Sequence, residues 1–330
     1  MGKTVYFHIG TVKTGSTFLQ KVMWENRSAL QNDGLDYVQV TPPKLHLPRY
    51  ANADFLDDPS LHQTARELFE SSPCDRVVIS EEGLFGRPQL MLAPMFDGFR
   101  KEVVVYVRQP AELVASWAAE MTMPYNAFTA SLPWQAGLLP YEMAIQMLSN
   151  VYAACMGRCY SVFAQGGFES ITVRPFETAQ LARGDLLEDF LSVIGICATA
   201  FRESAKSHLS DHVNSTRSRK FYDVSFLTWK YLQDRGRVEE FSHDLVEEVF
   251  AACQSGDERS PIETLDDATI EAISLELAFV EEDLVYRGLA REPFFQNRFP
   301  KIYGTSRHSV KPVSVEEVGK LVELLVRRSH

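Results

Sequence analysis

Val5-Tyr6-Phe7-His8-Ile9-Gly10-Thr11-Val12-Lys13-Thr14-Gly15-Ser16-Thr17-Phe18-Leu19-Gln20 is the stretch that decides the fold. Val5 to Ile9 is a short apolar run that ends in glycine. From Thr14 to Asn32 the apolar Phe18, Leu19, Val22 and Met23 recur on one side of a predicted helix. Strand, glycine-containing turn and helix follow one another within one short segment. The same alternation continues along the chain. Arg66 to Glu70 closes a helical stretch, and Arg76 to Ser80 (RVVIS) is a second buried-strand candidate. Lys101 to Arg108 (KEVVVYVR) is the strongest strand, its β-branched run suiting a parallel sheet covered on both faces. Gln109-Pro110 breaks into a helix with proline in its first turn. Glu169 to Phe176 (ESITVRPF) is a fourth strand, followed by the helix LLEDFLSVIG.

Strands alternating with helices imply right-handed crossovers and a three-layer α/β/α sandwich with a central parallel sheet. After Asp211 the pattern becomes mainly helical, near 216–233, 242–254, 265–285 and 314–327. The expected organisation is an α/β core over residues 1–210, with a helical C-terminal part, 211–330, packed on the same domain. The proline-rich segment from Pro42 to Asp58 reads as a long connection.

With 330 residues and 45% hydrophobic content the chain can bury a sizeable core. Its formal net charge is −11. An acidic chain lacks the basic face that general nucleic-acid binding requires. A small polyanion needs only a few aligned backbone N–H groups and local cations. Five scattered cysteines, Cys74, Cys155, Cys159, Cys197 and Cys253, do not form a disulfide framework and read as buried free thiols. No run of eighteen apolar residues and no signal segment stand out, so a cytoplasmic protein without a transmembrane segment is expected.

Gly10 to Thr17 imitates the spacing GxxxxGK[ST], with Gly10, Gly15 and Thr17 in register. Ser16, however, occupies the position of the Walker lysine, and the lysine sits at Lys13 inside the loop. A nucleotide kinase uses the later lysine on the β- and γ-phosphates; this loop is arranged for a different anion. A second segment, Val104 to Ser116, is a strand that ends in Arg108 and a helix that carries Ser116 eight residues later. An arginine at a strand's C-terminal end lies where ligands of doubly wound sheets bind. Ser116 falls about two turns into the helix, so its hydroxyl can join Arg108 around one phosphate.

On these residues the chain resembles the PAPS-dependent sulfotransferases, which use 3′-phosphoadenosine 5′-phosphosulfate (PAPS) on a P-loop-like fold. GTVKTGSTFLQ is similar to their 5′-phosphosulfate loop and VRQPAELVAS to their 3′-phosphate motif. VRPFETAQL followed by DFLSVIGI is a looser likeness to a strand, acidic turn and helix of the family. The resemblance covers about residues 4–197. It implies that Lys13, Thr14, Gly15, Ser16 and Thr17 hold the 5′-phosphosulfate and that Arg108 and Ser116 hold the 3′-phosphate. It implies sulfuryl transfer to a hydroxyl or amine, releasing adenosine 3′,5′-bisphosphate (PAP), with Lys13 neutralising the leaving oxygen and no metal required. A basic loop near the 3′-phosphate is common in the family; Arg217, Arg219 and Lys220, or Arg307 to Lys311, are candidates, and equally solvated faces.

The acceptor's proton needs a base, which in the family is a histidine or a glutamate after a central strand. RVVIS runs into Glu81-Glu82-Gly83, a loop without histidine. Neighbouring residues leaving a strand point in different directions; Glu82 is favoured over Glu81, and the bland alternative makes both loop-surface charges or a helix cap. His8 reads as packed or hydrogen-bonded within its strand. His208 and His212 are spaced i, i+4 without a third metal ligand, and Trp117 and Tyr125 read as core. The competing functions are a nucleotide-dependent phosphotransferase and an inactive nucleotide-binding scaffold. A carbohydrate or small metabolite is the expected acceptor, without nucleic acid.

Overall fold

β1 (Thr4–His8) leads through the glycine turn into α1 (Ser16–Glu25). The predicted helix over 14–32 is two helices, because Asn26 leaves helical geometry at φ −115° and its amide donates to the Val22 carbonyl at 3.0 Å. α2 (Arg27–Asn32) follows, then the two-residue β2 (Leu35–Asp36) and α3 (His62–Ser71). β3 (Arg76–Ser80) ends at the acidic pair, after which come the short α4 (Gly83–Gly86), β4 (Arg100–Val107) and α5 (Pro110–Met121). α6 (Tyr141–Gln165), β5 (Ser170–Pro175) and α7 (Leu186–Val193) complete this half. Among the described residues that follow, the elements are mainly helices: α8 (Arg219–Gln233), α9 (His243–Ala252), α10 (Asp267–Glu276), α11 (Ala278–Tyr286) and α12 (Val315–Val326). The molecule is a computed structural model that describes residues 2–40, 50–121, 141–197, 201, 219–253, 267–289, 294–295 and 314–326.

The five strands form one sheet in the order β2-β3-β1-β4-β5, and every pairing is parallel. Parallel neighbours require crossover connections, which the intervening helices supply. Side chains alternate between the two faces of the sheet. Tyr6, Val78, Val104 and Tyr106 share one face and pack against Leu19, Val22 and Met23 of α1 and Leu187, Phe190 and Leu191 of α7. Phe7 points to the other face, where its ring meets Phe96 edge-on at 4.9 Å and Phe96 stacks on Phe69 of α3. Helices therefore cover both faces, as the β-branched strands predict.

α7 is held down by a buried carboxylate. Asp189, 2% exposed, accepts from the Tyr106 hydroxyl at 2.8 Å, from Arg174 Nε at 3.0 Å and from the Ala182 N–H at 2.9 Å. Arg174 also donates to the Gln180 carbonyl at 3.0 Å. β4, β5 and α7 thus converge on one anion. At the opposite end of the sheet Arg76 donates to the carbonyls of Asp33, Gly34, Ile194 and Gly195, serving the C-terminal ends of α2 and α7 together.

The chain forms two compact units that interleave along the sequence. Met1–Gln109, Val151–Ser215 and Leu277–Arg298 make one; Pro110–Asn150, Thr216–Glu276 and Phe299–His330 make the other. The second unit is built on α8, α9 and α12, whose Val224, Leu232, Val249, Val318 and Val322 form its core. Gly319 lets the Tyr231 ring come close to α12: a Cβ there would fall 2.4 Å from the ring. No helix among the described residues is long and apolar enough to cross a membrane.

Candidate anion-binding site

The Gly10–Thr17 turn leaves the C-terminal end of β1, the middle strand of the sheet. Its first half stays tied to β4. The Ile9 N–H donates to the Val104 carbonyl at 3.0 Å, and both the N–H and the hydroxyl of Thr11 donate to the Tyr106 carbonyl, at 3.3 and 3.0 Å. The chain then reverses through two left-handed residues, Lys13 at φ 63° and Gly15 at φ 77°. Gly15 precedes the first turn of α1, no side chain caps that turn, and it contains no acidic residue. The first N–H groups of a helix lack intrahelical acceptors and sit at the positive end of its dipole, so the turn is suited to an anion.

The hydroxyls of the turn face inward. Thr14 is fully buried and donates to the Thr11 carbonyl at 2.6 Å, so what it can offer a ligand is its backbone N–H. Ser16 is 1% exposed, and its Oγ has no hydrogen-bond partner among the described residues. Glycine at position 10 is what admits that hydroxyl, since a Cβ on Gly10 would stand 1.9 Å from Ser16 Oγ. Gly15 is equally constrained, its hypothetical Cβ falling 2.5 Å from Leu186 Cδ2. Lys13 and Thr17 remain partly exposed. A buried, unpartnered hydroxyl and uncapped N–H groups around a glycine cradle fit a phosphate or sulfate-like group.

Arg108 leaves the end of β4, next to β1, and its Nη1 lies 3.4 Å from the Lys13 carbonyl oxygen. The strand-end arginine therefore reaches the lysine of the turn beyond the C-terminal ends of β1 and β4. Ser116 is 2% exposed on α5, its Oγ without a hydrogen-bond partner among the described residues; it belongs to the second compact unit.

Glu81 and Glu82 follow β3, on the other side of β1, and both are half-buried. The Glu81 N–H donates to the His8 carbonyl at 3.2 Å, and Glu81 Oε1 accepts from the Gly83 N–H at 2.9 Å. The Glu81 carboxylate thus helps to shape its own turn. Tyr37 has its hydroxyl pushed well above the ordinary phenol range, by burial first and by the nearby Glu81 charge second.

His8 is packed and hydrogen-bonded, its Nδ1 lying 2.7 Å from Ser80 Oγ. Burial lowers its pKa to about 3, so the imidazole is neutral. Sequence reading left out both Ser80 and Asn52. The Asn52 side chain accepts from the Ser80 N–H at 2.7 Å and donates to the carbonyls of Val38 and Val78, at 2.9 and 2.8 Å. Ser80 is a polar residue that closes a strand and Asn52 lies in an irregular segment; which groups they meet depends on tertiary structure, which no local pattern contains.

The other flagged residues fall elsewhere. None of the five cysteines forms a disulfide; four are buried and Cys197 is exposed. Burial pushes the Cys159 thiol up to about 12, which makes it a poor nucleophile. Lys220 is 8% exposed with its ammonium 5.3 Å from the Phe250 ring centroid, a packed position. Tyr125, His208, His212, Arg217 and the stretch Arg307 to Lys311 lie outside the described residues. No group of three His, Cys, Asp or Glu side chains able to hold a metal occurs among the described residues.

The chain matches no protein-family model and no curated protein. Among solved structures it is similar to the sulfotransferase domain from the curacin biosynthetic pathway, at 12% identity and a TM-score of 0.39, over 63% of this chain and 80% of that one. It is also similar to a sulfotransferase from Alicyclobacillus acidocaldarius, at 17% identity and a TM-score of 0.36, over 72% of this chain and 95% of that one.

Proposed function

We propose that the protein is a sulfotransferase that moves a sulfuryl group from PAPS to a hydroxyl or amine, with a carbohydrate or small metabolite as acceptor. One observation carries the reading: the β1–α1 turn holds its lysine at position 13, has serine at the Walker lysine position, and receives Arg108 from the neighbouring strand. PAPS, once bound, supplies an activated sulfuryl group whose leaving group is a phosphate oxygen. The N–H groups of Gly15, Ser16 and Thr17 and the Lys13 ammonium stabilise the charge that grows there, because preorganised donors cost no reorganisation during the reaction. Arg108 takes the 3′-phosphate, an anion that ATP and ADP lack. Glu82 removes the acceptor's proton. In-line transfer of this kind is mainly positioning and charge stabilisation, and this reading requires no metal.

Calorimetry against adenosine 3′,5′-bisphosphate and ADP tests the reading. The bisphosphate binds at least about tenfold tighter, the worth of one charge-assisted contact to its additional phosphate. Preference for ADP, above all with Mg²⁺ present, points instead to a phosphotransferase.

A further inference from the structure

His8 is a buried ionisable residue that the proposed chemistry does not use. Its ring lies on the sheet face shared with Tyr106 and Phe190, with centroids 6.0 and 5.0 Å away. Nε2 has no hydrogen-bond partner among the described residues. An aliphatic side chain would fill this site without stranding a ring nitrogen. What the histidine adds is its bond to Ser80.

That bond crosses between two places that matter. His8 and Ser80 are register partners on adjacent parallel strands, each the last residue of its strand. Two residues after His8 the anion turn begins at Gly10; directly after Ser80 comes Glu81. Ser80 is held from several sides: by His8 Nδ1, by Asn52 Oδ1 on its N–H, and by the Asn52 N–H at 3.4 Å from its carbonyl oxygen. The Glu81 N–H to His8 carbonyl bond carries the β1–β3 pairing one step past the strand ends. We infer that His8 and Ser80 form a cross-strand rivet, a positioning pair that fixes the Glu81–Glu82 turn relative to the anion-binding turn. The inference rests on the proposed function in taking those turns as base and donor site.

The full-length protein, with ¹³C-labelled glutamate, tests it by NMR titration of the Glu81 and Glu82 carboxyls with and without adenosine 3′,5′-bisphosphate. In the wild type the ligand raises a carboxyl pKa in the pair, because neighbouring anions disfavour each other. In Ser80→Ala and His8→Leu that rise falls to half or less, while affinity for the bisphosphate stays within about threefold, since the turn's own donors are untouched. His8→Asn, whose amide can reach Ser80 Oγ, restores much of the rise. A merely structural pair would change the melting temperature and leave the ligand-induced rise as it is. Ser80→Ala removes a single oxygen and carries the test if His8→Leu fails to fold. Binding of the bisphosphate with the same rise in all variants overturns the rivet and leaves the sulfotransferase reading standing; so does binding that moves neither carboxyl in the wild type. A wild-type protein that does not bind the bisphosphate overturns that reading, and the rivet with it.

Discussion

Lys13 stands in the left-handed region at φ 63°, where a side chain costs about 1 kcal/mol or more and glycine would not. Retaining a lysine there is consistent with a role for its charge at the turn. Arg108 offers the more direct test, since its effect can be read from binding alone. If it takes the 3′-phosphate, Arg108→Ala weakens PAPS binding by roughly 1.5–3 kcal/mol, the worth of a charge-assisted hydrogen bond. Binding of adenosine 5′-phosphosulfate, which lacks that phosphate, changes much less. Calorimetry with both ligands checks this; equal losses would make Arg108 an anchor for the Lys13 carbonyl instead. The displaced lysine and the strand-end arginine were legible in sequence because each is fixed by its place in a strand–turn–helix unit. The inward bond of Thr14, the orphan hydroxyl of Ser16 and the His8–Ser80 contact were not, because they depend on rotamers and on strand register.

At the scale of elements, β1, β3, β4 and β5 were legible because each is a short β-branched or aromatic run bounded by turn residues. β2 has two residues and no periodicity to read. The 25-residue α6 was missed because its apolar residues are spread around much of its circumference, so the amphipathic stripe is weak. The breaks at Asn26 and Leu277 likewise leave no strong mark, lacking glycine or proline. What ties α7 to the strands is Asp189, which receives Tyr106, Arg174 and the Ala182 N–H. The Arg174 guanidinium is accordingly held above its ordinary pKa, chiefly by its hydrogen bond to Asp189. Asp189→Ala strands a buried hydroxyl and a guanidinium that is a third exposed. Loss of a buried pair's partner costs about 3–5 kcal/mol, and that exposure moves the expected loss to about 3 kcal/mol or somewhat below. Denaturant unfolding followed by circular dichroism measures it. A loss under about 1 kcal/mol, the scale of an exposed ion pair, would show that the network does not anchor α7.

For the molecule as a whole, acid sensitivity is where one buried side chain should be visible above many shared charges. The chain carries 44 acidic and 33 basic residues, so acidification changes its charge broadly. His8 adds a specific contribution. Its folded pKa is lowered to about 3, against about 6.5 unfolded, so below pH 6.5 the unfolded chain binds a proton that the folded chain does not. A depressed folded value means that this stability is whole above pH 6.5 and is lost progressively towards pH 3, by about 1.4 kcal/mol per pH unit at most. Comparing the wild type with His8→Leu isolates the effect, because the shared carboxylates contribute similarly to both. Between pH 6 and pH 4 the wild type should lose roughly 2–3 kcal/mol more than His8→Leu, since leucine has no proton to bind. Above pH 7 the two curves should run parallel. The sheet-containing unit is the one to follow, because His8 lies within it and the two units need not unfold together. Trp24 belongs to that unit, so its fluorescence, with Trp117, Trp134 and Trp229 replaced by phenylalanine, reports its unfolding. Parallel curves across the whole acid range would mean that His8 takes up its proton without unfolding the sheet, and that the site beside Ser80 opens to water.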